Sequence, residues 1–375
     1  EVAHDLQLNR SNSVHNRVYG GRYLYEGDFP YVYPPFVKNR DRATGAWWGF
    51  ESRLLSTAWQ GHRWIAGLEY WNNVRQDQRN DDEGIGCFGT GPAPCLDDRR
   101  SSRQWSFYAQ DEMEVGDNTY LTLGLRHDRL SAMPGHWSPR LGLVRQTAAA
   151  GTFKLLLATA FSDPTVYQRF YNAPGFAVGN PGLMPERMKS LDLTWEGQVG
   201  PRSRMSASVY FFRVRDLLAL DPVSGLTQNI PETAARGFEL EYRHHWSGGA
   251  AVRTGYTLQS ASLAGGSVEN MARHALKANL ALPLAGEAWT AGLEAQAMSR
   301  RRTGMADGWV PGHAVFNANV LHRPAGARWD ASLGVYNLTD RKYADPVALD
   351  ATVGGPRDRM VQLGRTLRLA FSARF

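Results

Sequence analysis

The last fifteen residues of the chain alternate. Every second residue from Val361 gives Val361, Leu363, Arg365, Leu367, Leu369, Phe371, Ala373 and Phe375, and the intervening set is Gln362, Gly364, Thr366, Arg368, Ala370, Ser372 and Arg374. One face is apolar apart from Arg365 and the other is polar or small. Successive side chains of a strand point to opposite faces, so the spacing predicts a two-faced strand over 360–375. The rule repeats upstream: Leu121, Leu123 and Leu125 oppose Thr122, Gly124 and Arg126, and Leu191, Leu193 and Trp195 oppose Asp192, Thr194 and Glu196. Phe238, Leu240 and Tyr242 alternate with Glu239, Glu241 and Arg243 in the same way. Seventeen strands are predicted, at 1–10, 17–25, 43–58, 62–75, 102–115, 119–131, 136–146, 152–162, 188–199, 203–215, 233–246, 250–262, 271–284, 287–299, 312–323, 328–337 and 360–375. Ten residues at about 3.3 Å each, tilted by roughly 45°, cover about 23 Å, the height of the apolar band of a transmembrane barrel.

The connections carry a second regularity. Short turns (11–16, 60–61, 116–118, 147–151, 200–202, 247–249, 285–286 and 324–327) alternate with longer loops (26–42, 76–101, 163–187, 216–232, 263–270, 300–311 and 338–359). Turns on one side and loops on the other is the plan of an outer-membrane barrel, with turns in the periplasm and loops outside. The expected fold class is therefore all-β, a transmembrane antiparallel up-and-down barrel. An odd strand count leaves one end on the loop side, which leads us to expect that residues 1–375 are a partial barrel domain lacking an amino-terminal part.

Composition narrows the class. The 375 residues include 38 Gly, 12 Trp, 15 Tyr and 15 Phe, and no run approaches the roughly 18 apolar residues of a transmembrane helix. Cys87 and Cys95 lie in CFGTGPAPC, which reads as a disulfide-closed loop of an oxidising compartment, with two free thiols as the alternative. The net charge of +6 comes from Arg residues scattered at strand spacing and loop ends, not from the single basic helix or arm of a nucleic-acid binder. Catalysis has no footing, because G-x-S-x-G, H-E-x-x-H and P-loop patterns are absent from the sequence. No cofactor or metal ligand set is expected.

Several boxes, in order, resemble one family. They are Tyr108-Ala109-Gln110-Asp111 before Gly124-Leu125-Arg126-His127-Asp128, and Phe161-Ser162-Asp163-Pro164-Thr165 before Asn180-Pro181-Gly182-Leu183-Met184-Pro185-Glu186. Ala235-Arg236-Gly237-Phe238-Glu239-Leu240-Glu241, Val335-Tyr336-Asn337-Leu338-Thr339-Asp340 and Gly364-Arg365 before Phe375 complete the set. Together they resemble the carboxy-terminal portion of a TonB-dependent outer-membrane receptor. The resemblance implies a 22-stranded barrel, of which about 17 strands are present here, plugged by an amino-terminal domain that engages TonB. It also implies residence in the bacterial outer membrane, and energised uptake of a scarce solute, a ferric siderophore first. Receptors for cobalamin, copper or oligosaccharide and a passive porin-like barrel are the alternatives.

The candidate chemistry is recognition. Tyr31, Tyr33, Phe36 and Arg40 in loop 26–42, Tyr167, Arg169, Tyr171 and Phe176 in loop 163–187, and Arg300 and Arg301 combine aromatic faces with guanidinium groups. Such a set suits a planar anionic ligand through stacking, cation–π contact and charge-assisted hydrogen bonds. Leu369, Phe371 and Phe375 resemble a terminal signal for the barrel-assembly machinery. The partners expected are outer-membrane lipid and lipopolysaccharide, that assembly machinery, a small ligand such as a ferric siderophore, and the TonB complex through a region outside the chain. No nucleic acid is expected.

Overall fold

Alternating sequence builds every long element of the protein. The computed structural model describes all residues except 32–35, 84–86, 88–93, 132, 174–176, 222–223, 285, 287, 306, 351–356 and 375, and the side chains of 31 and 348–350. Its long strands are β1 (Val2–Asn9), β2 (Asn12–Tyr31), β3 (Val37–Ser56), β4 (His62–Asp82), β5 (Ser102–Gly116), β6 (Thr119–Leu130), β7 (His136–Thr147) and β8 (Gly151–Ser162). They continue as β9 (Glu186–Gly200), β10 (Ser203–Leu220), β11 (Thr227–His245), β12 (Ala251–Leu263), β13 (His274–Pro283), β14 (Trp289–Met298), β15 (His313–His322), β16 (Trp329–Tyr336) and β17 (Thr366–Ala373). All belong to one sheet, each matches one of the seventeen predicted strands, and the pairings are antiparallel between neighbours in sequence. A five-residue helix, α1 (Val166–Phe170), lies between β8 and β9. By contact the chain divides into one unit of Glu1–Val144, Leu156–Ser190 and Arg213–Thr233 and another of Arg145–Leu155, Leu191–Phe212 and Ala234–Phe375.

In the first unit the register sorts side chains into two faces. Arg17, Glu51 and Glu69 stand in one row across β2, β3 and β4, with Ser106 and Asp128 following on β5 and β6. Residues an odd number of positions away along each strand, Val18, Phe50, Leu68, Phe107 and Leu125, take the other face. The polar face is cross-linked. Tyr19 donates to Glu69 at 2.7 Å, Tyr108 donates to Glu51 at 2.6 Å, and Arg126 bridges Glu69 at 3.0 Å and Asp128 at 2.8 Å. In the second unit Leu280, Leu293, Ala318, Leu333 and Leu369 share the apolar side, and Asn279, Glu294, Asn317 and Arg368 share the polar one. Leu367, Leu369 and Phe371 are 70%, 79% and 67% exposed, an apolar surface that water would penalise and a bilayer would cover.

Glycines on the polar face sit opposite tyrosines. Tyr23 covers Gly45, Tyr19 covers Gly49 and Tyr108 covers Gly67, each across a strand pair. A Cβ on Gly67 would stand 2.4 Å from the Tyr108 ring. Gly67→Val is expected to lose about 1–3 kcal/mol through overpacking and to release the Tyr108–Glu51 bond, read as a lower unfolding midpoint in detergent.

Three predicted boundaries are corrected. Loop 26–42 is largely paired strand, since Tyr31 pairs with Val37 and Glu26 with Arg42, and β4 runs to Asp82 instead of ending near 75. The reason is a bulge: Ala46 pairs with Arg75 and Trp47 with Asn73, leaving Val74 extra. One additional residue inverts the alternation downstream, and the new outward set, Arg75, Asp77, Arg79 and Asp81, is charged. The predicted strand 360–375 is two elements: Arg357–Val361 pairs with Ala344–Asp350, and β17 starts at Thr366. Phe375 lies outside the described residues.

Candidate functional site

The site is built where β3 and β4 rise past the bulge. Their polar-face side chains there are Asn39, Asp41, Gln78, Asn80 and Asp82, and the segment around α1 docks on them. Thr165 starts the helix with a capping box, accepting from the Gln168 N–H while Gln168 accepts from the Thr165 N–H. Gln78 then donates to the Val166 carbonyl at 3.3 Å. Tyr171, 5% exposed, closes the dock, accepting from Asn80 at 2.9 Å and hydrogen-bonding Asp41. Asn39 and Asn80 exchange bonds of 2.9 and 3.1 Å, and Asn39 also donates to Asp82. Burial and the Asp41 charge push the Tyr171 phenol well above its usual range, so it stays a neutral donor.

Above this dock lies an aromatic and cationic cluster. Tyr167, 45% exposed, stacks on Tyr171 with ring centroids 4.4 Å apart. The Phe170 ring takes the Arg100 guanidinium at 3.3 Å and that of Arg169 at 4.8 Å. Arg100 also donates to Asp98 at 2.7 Å, and Arg169 to the Pro181 carbonyl at 3.2 Å. The Nε of Arg169 is buried without a hydrogen-bond partner. Burial and the like charge of Arg100 hold the Arg169 guanidinium below its ordinary pKa. Two cations thus flank one ring with incomplete compensation, which is the electrostatic setting for an anion.

The Asn180-Pro181 box holds the far end of the loop. Asn180 accepts from the Gly182 N–H and donates to the Thr227 carbonyl at 3.1 Å, and Asn229 clasps the Met184 backbone. Asp163 enters the segment half-buried, its Oδ1 3.9 Å from His136 Nε2 and without a hydrogen-bond partner. Burial raises its pKa, against the pull of His136. A raised carboxyl contributes stability below its unfolded pKa of about 3.9 and loses it as pH rises through the folded value. Asp163→Asn is therefore expected to slow protease cleavage within 163–185 at pH 7 severalfold and to have no effect below pH about 3.5.

The other sequence candidates fall elsewhere. Arg40 lies on the opposite face of β3, paired with Glu83 and 3.7 Å from Asp28. Phe36 is 67% exposed just before β3. Tyr33 and Phe176 lie outside the described residues, as does the side chain of Tyr31. In the second unit Arg301 is 6% exposed and bound to Asp345 and Asn270 as a strut, while Arg300 lies 4.6 Å over Trp309. Cys87 and Cys95 are joined, S–S 2.04 Å. Arg100 was missed by the sequence reading. It ends one loop and meets Phe170 of another, and no local pattern announces such a meeting.

A two-faced antiparallel sheet, apolar on one side and cross-linked by polar groups on the other, is the arrangement of a transmembrane β-barrel. The chain belongs to the TonB dependent receptor-like β-barrel family, whose model matches residues 2–338. Members of that family are outer-membrane transporters, not enzymes. The probable TonB-dependent siderophore receptor PirA of Acinetobacter baumannii is 32% identical over 133 residues, 36% of this chain and 17% of that protein. The ferrienterobactin receptor of Escherichia coli is 36% identical over 64 residues, 17% of this chain and 9% of its own length. Among solved structures the copper transporter OprC superposes with a TM-score of 0.73 at 15% identity, covering 98% of this chain and 63% of its own. The chain thus spans a minor part of these curated relatives and less than two thirds of that structure.

Proposed function

We propose that the protein is a receptor for TonB-energised uptake of a ferric siderophore. The observation that carries this reading is the cluster at the mouth: Tyr167 exposed on the docked loop, beside two guanidinium groups sharing the Phe170 ring. Ferric siderophores present aromatic or hydroxamate donors around iron and are often anionic, so stacking and charge-assisted bonds address the whole chelate. Rings and guanidinium groups are chemistry for a chelate, not for a bare metal ion. The partial relatives, a siderophore receptor and a ferrienterobactin receptor, point the same way. The likeness to a copper transporter, at 15% identity, concerns the fold alone. Capture by the outer loops would be followed by release inward, with TonB supplying the energy. No residue of the 375 is assigned to the TonB contact.

The test is iron-limited growth and radiolabelled iron uptake in a strain stripped of its own siderophore receptors and expressing the full gene. Growth on one ferric siderophore that disappears when TonB is deleted supports the reading. Uptake indifferent to TonB makes the barrel a passive pore, and rescue only by a corrin, copper chelate or oligosaccharide moves it to another substrate class.

A further inference from the structure

The connection between β4 and β5 contains a covalent bond that lies close to the anion cluster. Cys87 and Cys95 are joined across a sequence separation of 8, and the short strand Leu96–Asp98 begins immediately after the second cysteine. β5 pairs with β4 only as far as Asn73. Farther toward the loops that flank of β4 is taken by the short strand, with Gln78 opposite Asp98, Arg79 opposite Asp97 and Asn80 opposite Leu96. Two of these β4 residues receive the α1 segment, since Gln78 donates to the Val166 carbonyl and Asn80 to the Tyr171 phenol. Residues directly opposite each other share a face, so Asp98 stands on the side that carries the dock.

Asp98 in turn holds Arg100. Its carboxylate accepts from the Arg100 Nε–H at 2.7 Å, and the Arg100 carbonyl accepts from the Gln76 N–H at 2.9 Å. Held at both ends, the guanidinium lies 3.3 Å from the Phe170 ring centroid. Arg169 reaches that ring from α1 itself, whereas Arg100 arrives there only while Leu96–Asp98 stays on β4. Little else retains the strand. Three register pairs make a short edge, and its ion pair to β4, Arg79 with Asp97, is long at 3.9 Å and half-exposed, where such pairs contribute little. A connection from Asp82 to Leu96 through every intervening residue costs more entropy to close than one that crosses from Cys87 to Cys95 and leaves 88–94 outside it. The S–S bond therefore acts on the equilibrium that places Arg100.

We propose that the Cys87–Cys95 disulfide is a positioning element of the anion cluster, holding Leu96–Asp98 on β4 and, through Asp98, setting Arg100 against Phe170. The bond itself touches no ligand. Opening it releases one of the two cations that meet the chelate, so a thiol reductant weakens capture. This role rests on the reading of the cluster as a ferric siderophore site.

The experiment uses the full chain in mild detergent and a ferric tris-catecholate as the probe, with affinity read by fluorescence quenching and folding by heat-modifiable gel mobility. Cys87→Ser with Cys95→Ser is expected to bind about fivefold more weakly, the scale of a loop constraint removed from a short strand. Arg100→Ala is expected to bind about tenfold more weakly, and adding the serine pair to it to change nothing further. That non-additivity separates positioning of Arg100 from general stabilisation, which would weaken both backgrounds alike. Dithiothreitol, itself oxidised to a cyclic disulfide as the S–S bond opens to two thiols, is expected to reproduce the serine pair's loss in the parent, and reoxidation to restore affinity. Parent-like affinity in the folded serine pair, or equal weakening by that pair with and without Arg100, overturns the proposal. If the serine pair does not fold, unchanged affinity of the fully reduced parent overturns it instead. If the oxidised parent does not bind the probe, the siderophore reading fails, and amide exchange over 95–101 decides the role of the disulfide separately. Faster exchange on reduction then supports that role, and unchanged exchange overturns it.

Discussion

An arginine at position 369 is expected to destabilise the protein by about 2–4 kcal/mol, the cost of that side chain on the lipid face near the bilayer midplane. Leu369 pairs with Leu333 across β16 and β17 and is 79% exposed, so only acyl chains solvate it. One residue away, Arg368 is already an arginine and pairs with Gly334 on the polar face. The contrast supplies the control. Ser332→Arg, on the polar side opposite Ala370, is expected to change stability by no more than about 0.5 kcal/mol. Urea titration of protein refolded into vesicles, followed by tryptophan emission, measures both. Equal costs at 369 and 332 would sink the assignment of the two faces.

That assignment was legible in the sequence because the energetic demand is local and periodic. Several of the strands, among them Thr119–Leu130, Glu186–Gly200 and Thr366–Ala373, separate apolar from polar residues at a period of two, and lipid on one side enforces the pattern regardless of neighbours. Legibility failed wherever that demand stops. Past Val74 both faces of the β3–β4 pair are polar, with Arg79 and Asp81 bridged on one side and Asn80 bonded to Asn39 on the other. Strand and loop then look alike in composition, and the bulge shifts the phase as well. The same holds at 361–366, where the alternation runs on through Leu363 although pairing changes partner from the Ala344–Asp350 strand to β16.

The candidate site was legible as chemistry but not as geometry. Loop 163–187 was singled out for its rings and arginines, and the docked segment carries them. Composition does not say which ring is structural and which is presented. Tyr171 is sunk against Asn80 while Tyr167, four residues earlier, stacks on it and remains open. Arg40 and Arg301 illustrate the converse, since an arginine in a loop-like stretch is as readily a strut to Glu83 or Asp345 as a ligand contact. Partners distant in sequence decide between the two.

Replacing both Arg100 and Arg169 by alanine is expected to weaken binding of a ferric tris-catecholate about 100-fold. Hydrogen bonds to charged groups contribute about 1.5–3 kcal/mol each, and two at the lower end sum to about 3 kcal/mol, or roughly two decades in Kd. The physical reason is the state of the free site. Arg169 is partly buried, its Nε has no partner and Arg100 repels it, so an arriving anion relieves a cost that already exists. The affinity is accordingly expected to fall with added salt less steeply than for fully exposed arginines, because burial reduces screening. Tyr167→Ala should cost about tenfold through lost stacking, and Arg79→Ala, paired with Asp81 on the opposite face, should cost nothing. Quenching of intrinsic fluorescence by the ferric chelate gives the affinities, and heat-modifiable mobility confirms folding. If the double variant binds as the parent does while folded, the Arg100–Phe170–Arg169 cluster is a loop clamp, and the ligand contacts lie elsewhere on the mouth.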